Sequence, residues 1–194
     1  MRLIARTAKE LQYIYPQLRY HLYSGNADDV TERLDKGLLD FGILIEPFDM
    51  KKYDCIKLPA TDVWGVLMRK DSPLVHCEVI RPEDLWNVPL LISRQSMVKN
   101  DLFSWLQRDS DSLDIVATYN LVFNASLMVA EGVGYALCLD KLVNTTGNST
   151  LCFRPLHPRL EVGLDVVWKK YQVFSKATKK FLEHLQAKFH GSGI

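Results

Sequence analysis

Ser93-Arg94-Gln95-Ser96 and Tyr119-Asn120-Leu121-Val122-Phe123-Asn124-Ala125 are the two stretches best suited to holding a small anion. Arg94 offers a planar fork of donors that matches a carboxylate or a phosphate, and Ser93, Gln95 and Ser96 add neutral donors. Asn124 is a natural N-cap for a helix over 125–131, whose free N–H groups would face the same ligand. Phe123 would supply an apolar wall. A structural role competes at each place: Arg94 as an exposed side chain with Ser96 capping the next helix, and Asn124 as a simple cap with Phe123 in the core. Glu46, just past an apolar strand, and Arg2, at the start of the first helix, are further candidates for ligand contact.

Covalent and metal chemistry find little to work with. There is no G-x-S-x-G, H-E-x-x-H or P-loop. Gly132-Val133-Gly134 follows a helix and precedes a strand, the reverse of a dinucleotide fingerprint. Cys55, Cys77, Cys138 and Cys152 are scattered, without C-x-x-C or paired histidines, and read as buried or inert thiols. His21 lies in a strand-like run, while His76, His157 and His184 fit surface or turn contexts. The chain is expected to be no enzyme, with no cofactor and no metal.

Bulk properties narrow the class. The 194 residues carry 24 basic and 23 acidic side chains, a net charge of +1, which lacks the basic excess of a dedicated nucleic-acid binder. No apolar run approaches a membrane span, and the N-terminus lacks a signal-peptide core. The expected location is cytoplasmic.

Alternating strands and helices must position these residues. Leu3, Ile4, Ala8, Leu11 and Ile14 make the stripe of a helix over 2–15, stopped by Pro16. Leu18 to Tyr23 reads as a strand, and Asn26 as the cap of a helix that ends at Gly37. Phe41 to Ile45 is a buried strand, and 55–58 and 63–68 are two further strand-like pieces. Strands follow at 88–92, 113–119, 135–139 and 161–168, helices at 99–108, 125–131 and 175–189. Residues 144–150 form an exposed loop, and 190–194 read as a frayed tail.

Two segments carry a family resemblance. Val30 to Ile45 combines a helix, a glycine stop and the strand "LDFGIL", and Ala125 to Leu139 combines a helix, Gly-x-Gly and a buried strand. Together, with "YPQLRYHLYSG" after the first helix, they resemble the effector-binding domain of LysR-type transcriptional regulators. The resemblance implies an α/β fold of two Rossmann-like lobes, type II periplasmic-binding-protein-like, with the chain crossing twice between them. Lobe one would be 1–67 plus 165–194, and lobe two 68–164. A small, anionic metabolite would bind between the lobes, at the 93–96 loop among others, and bias a DNA-bound oligomer.

The same resemblance implies a homodimer, with Leu3, Thr7, Glu10 and Leu11 bordering the 125–131 helix of a second copy. It also implies that operator DNA is contacted only through an N-terminal winged helix-turn-helix, which this chain lacks, as it lacks the strand that precedes the first helix in the family. Two alternatives share the fold: a solute-binding protein of a transporter, and an enzyme on the same two-lobed scaffold.

Overall fold

The first turn of the chain shows how local sequence sets the architecture. In α1 (Arg2–Ile14) the spacing of Leu3, Thr7 and Leu11 puts them on one face, and Pro16 lies just beyond the helix end. α2 (Ala27–Asp35) starts with a capping box: Asn26 Oδ1 accepts from Asp29 N at 2.9 Å, while the Asp29 carboxylate accepts from Asn26 N. It stops at Gly37, whose φ of +68° is a backbone conformation that a side chain would oppose.

The computed structural model describes residues 1–98 and 101–189. After α2 come β1 (Gly42–Ile45), β2 (Tyr53–Arg69), β3 (Leu90–Ser93), α3 (Arg94–Val98), α4 (Asp101–Leu106), β4 (Ile115–Tyr119), α5 (Val122–Ala130), β5 (Tyr135–Leu139), β6 (Leu151–Pro155), β7 (Glu161–Lys169) and α6 (Lys176–Phe189). The chain forms two compact units, Met1–Thr61 with Gly163–Ile194, and Asp62–Val162.

In the first unit β1 pairs antiparallel with β7, Gly42 opposite Val167 and Ile45 opposite Leu164, and β7 lies beside β2. Each face of this sheet has its own core. α2 covers one with Val30 and Leu34 against Leu44, Tyr53 and Val167. α6 covers the other with Leu185 and Phe189 against Ile56, Leu58, Val166 and Trp168, and Leu3 and Ile4 of α1 pack there too. Burying one such leucine contributes roughly 1.5–3 kcal/mol.

In the second unit the order is β2-β5-β3-β4, with β6 also on β2. β3 is parallel to both β4 and β5, while β5 and β6 run antiparallel to β2. Leu90 and Ile92 of β3 pack with Leu102 and Leu106 of α4, whereas Leu91 between them packs with Ala125 and Val129 of α5. The helices that follow β3 and β4 therefore lie on opposite faces of the sheet. Gly134 closes the turn into β5 where a Cβ would meet Pro89 O at 2.5 Å.

Several elements differ from the sequence reading. Leu18–Tyr23 forms no strand. Alternation gives a strand only where a neighbour supplies a ladder, and here side chains hold the segment instead. Tyr20 Oη donates to Ala8 O at 3.2 Å, and Arg33 lies 4.1 Å over the Tyr23 ring. The pieces at 55–58 and 63–68 are one strand of 17 residues, with Pro59 at an exposed stretch where its missing donor costs little. The division expected after residue 67 falls inside β2. There Trp64–Leu67 pair with β5 and Gly65–Arg69 with β6, so the second unit begins at Asp62. The expected return at 165 compares with Gly163. Of the helix expected over 99–108, residues 101–106 are helical, and 99 and 100 lie outside the described residues, as does the 190–194 tail.

Candidate functional site

Adjacent parallel strands whose connecting helices leave for opposite faces open a crevice at their carboxyl ends, where ligands of α/β folds bind. β3 and β4 are such a pair. Ser93 is aligned with Tyr119 at the end of the ladder, so the residues just beyond each are brought side by side. On the β3 side these are Arg94, exposed, Gln95, half-buried, and Ser96, buried. The expected 93–96 loop is in fact a strand end running directly into α3.

On the β4 side the helix begins earlier than the sequence suggests. α5 starts at Val122, its N-cap is Leu121, and no side chain caps it. Asn124 is thus a residue of the first turn and exposed, not the cap. Asn120 Oδ1 instead accepts from Leu121 N at 2.9 Å, a bond made just outside the helix. Phe123 is 68% exposed, so it belongs to no core. The uncapped N–H groups of this first turn are of the kind that attracts an anion. Beneath them Tyr119 is fixed by its hydroxyl, which donates to Leu137 O at 2.6 Å, and burial raises its phenol well above the ordinary range.

A family model described as LysR substrate binding domain matches residues 2–190. The chain belongs to that family. Among relatives, the HTH-type transcriptional regulator YvbU of Bacillus subtilis is 25% identical over 175 residues, covering 90% of this chain and 59% of that protein. The chain thus spans about three fifths of that relative's length. The effector-binding domain of QuiR in complex with shikimate superimposes with a TM-score of 0.82 at 10% identity, covering 98% of this chain and 92% of that one. The regulatory domain of CcmR from Synechocystis PCC6803 in complex with 2-PG gives 0.78 at 18% identity, covering 98% and 93%. The LysR-type, periplasmic-binding-protein-like α/β fold and the ligand-sensing role expected from the sequence are those of the family.

Of the other residues singled out in this LysR domain, those of the α1 stripe are placed differently from expectation, while Arg2 and Glu46 stand where the sequence puts them. Thr7 is fully buried and Leu11 is 2% exposed inside the first unit, where α1 packs on α6, so neither has surface to offer a second copy. Leu3 is half-buried against the same core. Their stripe is the inward face of an ordinary amphipathic helix, and only Glu10 of the four is exposed, bound to α6. Arg2 is exposed at the helix start. Glu46 stands at the end of β1, and its carboxylate accepts from Lys57 Nζ at 3.1 Å.

One residue escaped the sequence reading. Asp165 sits in the middle of β7, opposite Leu44, and is 1% exposed. Burial, then the charge and the hydrogen bond of Glu46, push its carboxyl from an ordinary 3.8 up to about 6, with Lys57 acting in the other direction. The signal was legible as one acid inside the apolar run Val162-Gly-Leu-Asp-Val-Val-Trp168. Burial likewise pushes the Cys138 thiol up to about 12, which makes it unreactive. Among the described residues no helix is long and apolar enough to cross a membrane, and no group of three potential ligands is placed to hold a metal.

Proposed function

We propose that this domain senses an anionic metabolite held at the carboxyl ends of β3 and β4, and that it does so as part of a transcriptional regulator. The observation that carries the reading is the split of α4 and α5 to opposite faces of the sheet, with Arg94 following the end of β3 and the uncapped start of α5 following its ladder partner β4. Solved structures with this fold include complexes with molecules named as shikimate and 2-PG, and shikimate is a carboxylate. A guanidinium fork and a helix N-terminus recognise carboxylates and phosphates through charge-assisted hydrogen bonds. The effector acts by differential affinity for two states of the protein, and coupling of ~1–3 kcal/mol suffices. DNA would be read by a separate domain of the regulator, and the balanced charge of this chain agrees with that division.

The self-association that such regulators use has a candidate surface in α5, where Leu127 and Met128 are exposed. The homodimer expected from the resemblance sets Leu3, Thr7, Glu10 and Leu11 against this same helix of a second copy; α5 keeps exposed apolar surface for it, whereas Thr7 and Leu11 are buried within their own chain.

The test is a thermal-shift and calorimetric screen of carboxylate and phosphate metabolites on the wild type and on Arg94→Ala. A ligand at 100 times its Kd adds ~2.7 kcal/mol of stability. A hit weakened at least tenfold by Arg94→Ala supports the site. A hit that ignores Arg94→Ala places recognition elsewhere.

A further inference from the structure

The antiparallel register of β1 and β7 continues one step past Ile45 and Leu164, and Glu46 N donates to Gly163 O at 3.3 Å. Gly163 and Asp165 are two residues apart on β7 and share one face of the sheet. Glu46 is therefore the diagonal neighbour of Asp165 on that face, a spacing at which long side chains interact. The glycine makes the approach possible, because a Cβ at position 163 would lie 2.5 Å from Glu46 Oε2. Two carboxylates in this relation would repel.

Their surroundings offer no second arrangement in which both carry charge at ease. Asp165 Oδ2 is buried and has no hydrogen-bond partner among the described residues. Among the described residues Lys57 is the cation that bonds the cluster, attaching to Glu46 at 3.1 and 3.4 Å, and it is itself mostly exposed. A further titratable neighbour from β2 is Cys55, whose thiol is pushed up by burial and then by the charges of Asp165, Asp54 and Glu46, with Lys170 acting in the other direction. A buried acceptor without a donor costs the folded state unless it carries a proton.

We propose that Glu46 and Asp165 share one proton, Asp165 O–H donating to the Glu46 carboxylate, and that this bond latches the end of β1 to β7 as a pH-responsive element. With the proton in place, Glu46 lies folded over Gly163. When the proton leaves, two like charges face each other, Asp165 cannot leave the strand interior, and the Glu46 carboxylate, already bonded to Lys57, turns away from Gly163 toward solvent. The first unit thereby presents one more free carboxylate above the transition than below it. This inference is independent of the anion site in the second unit, since no residue is common to both.

The experiment is a carboxyl-carbon NMR titration from pH 4 to 8 on the wild type, Asp165→Asn and Glu46→Gln. The expected result is one aspartate that titrates near pH 6 and disappears in Asp165→Asn. In Glu46→Gln its midpoint falls toward the ordinary carboxylate range, because the neighbouring charge is gone and the new amide can donate. The amides of Ile45, Glu46 and Gly163 should move with the same midpoint in the wild type and stay still in Asp165→Asn. An Asp165 midpoint in the ordinary range, or one that Glu46→Gln leaves unchanged, would overturn the proposal. So would loss of the raised midpoint on adding millimolar magnesium or calcium, which would mean that a cation joins the two carboxylates. Infrared detection of a protonated carboxylic acid at pH 5 in the wild type but not in Asp165→Asn gives a second reading that does not depend on backbone signals.

Discussion

Glu10 of α1 accepts from Lys188 of α6 with both carboxylate oxygens, at 2.6 and 2.7 Å, and the same carboxylate meets His184 Nε2 at 3.0 Å. This clamp ties together two helices whose apolar faces already pack, and it lies at the solvent edge of that packing. Lys188 is the largest cause holding the Glu10 carboxyl below its ordinary 4.5, followed by His184. A lowered carboxyl favours the folded state above pH 4.5, and that advantage is lost as pH falls through the lowered value. Glu10→Gln should therefore lower Tm slightly at pH 7 and converge with the wild type in acid, flattening the acid limb by that same modest amount, as surface ion pairs contribute little. Thermal melts across pH 2.5 to 7 check this, and an unchanged acid limb would count against it.

Leu11→Ala should lower stability by roughly 2–5 kcal/mol, the range for emptying a buried leucine site. Leu11 packs within its own chain, so the loss should be the same at low and high protein concentration. Denaturant unfolding at two concentrations decides, and a loss confined to the higher one would return Leu11 to an interface.

Asn26→Ala removes an acceptor that the Asp29 amide uses at 2.9 Å and breaks a reciprocal cap. The expected cost is about 1 kcal/mol. Asn26→Ser should recover most of it, which chemical denaturation can measure.

The raised carboxyl of Asp165 carries the opposite sign to that of Glu10. Its folded value of about 6 lies above the ordinary 3.8, so the stability it lends is complete below the ordinary value and is lost as pH rises through 6. Each pH step of that gap corresponds to about 1.4 kcal/mol, so the loss amounts to about 3 kcal/mol at most by neutral pH. Asp165→Asn should be more stable than the wild type at pH 7.5 and nearly equal to it at pH 4. Equal Tm values at both would remove the basis for the prediction.

Leu127→Glu and Met128→Glu place charges on the exposed face of α5. Light scattering should find the wild type dimeric at tens of micromolar and the double variant monomeric, with unchanged circular dichroism. A monomeric wild type would show that this face is not used.

Much of the fold was legible because period and punctuation agreed. Gly37, the Asn26 cap and the stripe of α1 each stand where their chemistry requires. The misreadings share a physical cause, which is that a local pattern does not name its partner. Leu18 to Tyr23 has a strand's alternation without a ladder. Leu3, Thr7 and Leu11 form an apolar stripe that serves an internal helix pair as readily as an external one. Asn124 is a good cap, yet the turn closes at Asn120 and the helix has already begun. Arg94 and Ser93 stand out in the sequence because they close an apolar run at a strand end. Asp165 was passed over because it lies within such a run.

Leu91 and Ile92 are consecutive residues, yet one faces the interior under α5 and the other the interior under α4. The sheet separates the two interiors, and β2, β5 and β6 alternate between them as β3 does. Side-chain volume removed at Leu91 cannot be refilled by anything that contacts Ile92, so truncations at the two sites should sum in free energy despite their adjacency, against the usual coupling of neighbours. The unit can accordingly be repacked one face at a time, and substitutions that retune the helix beside the anion site leave the other half of its interior undisturbed.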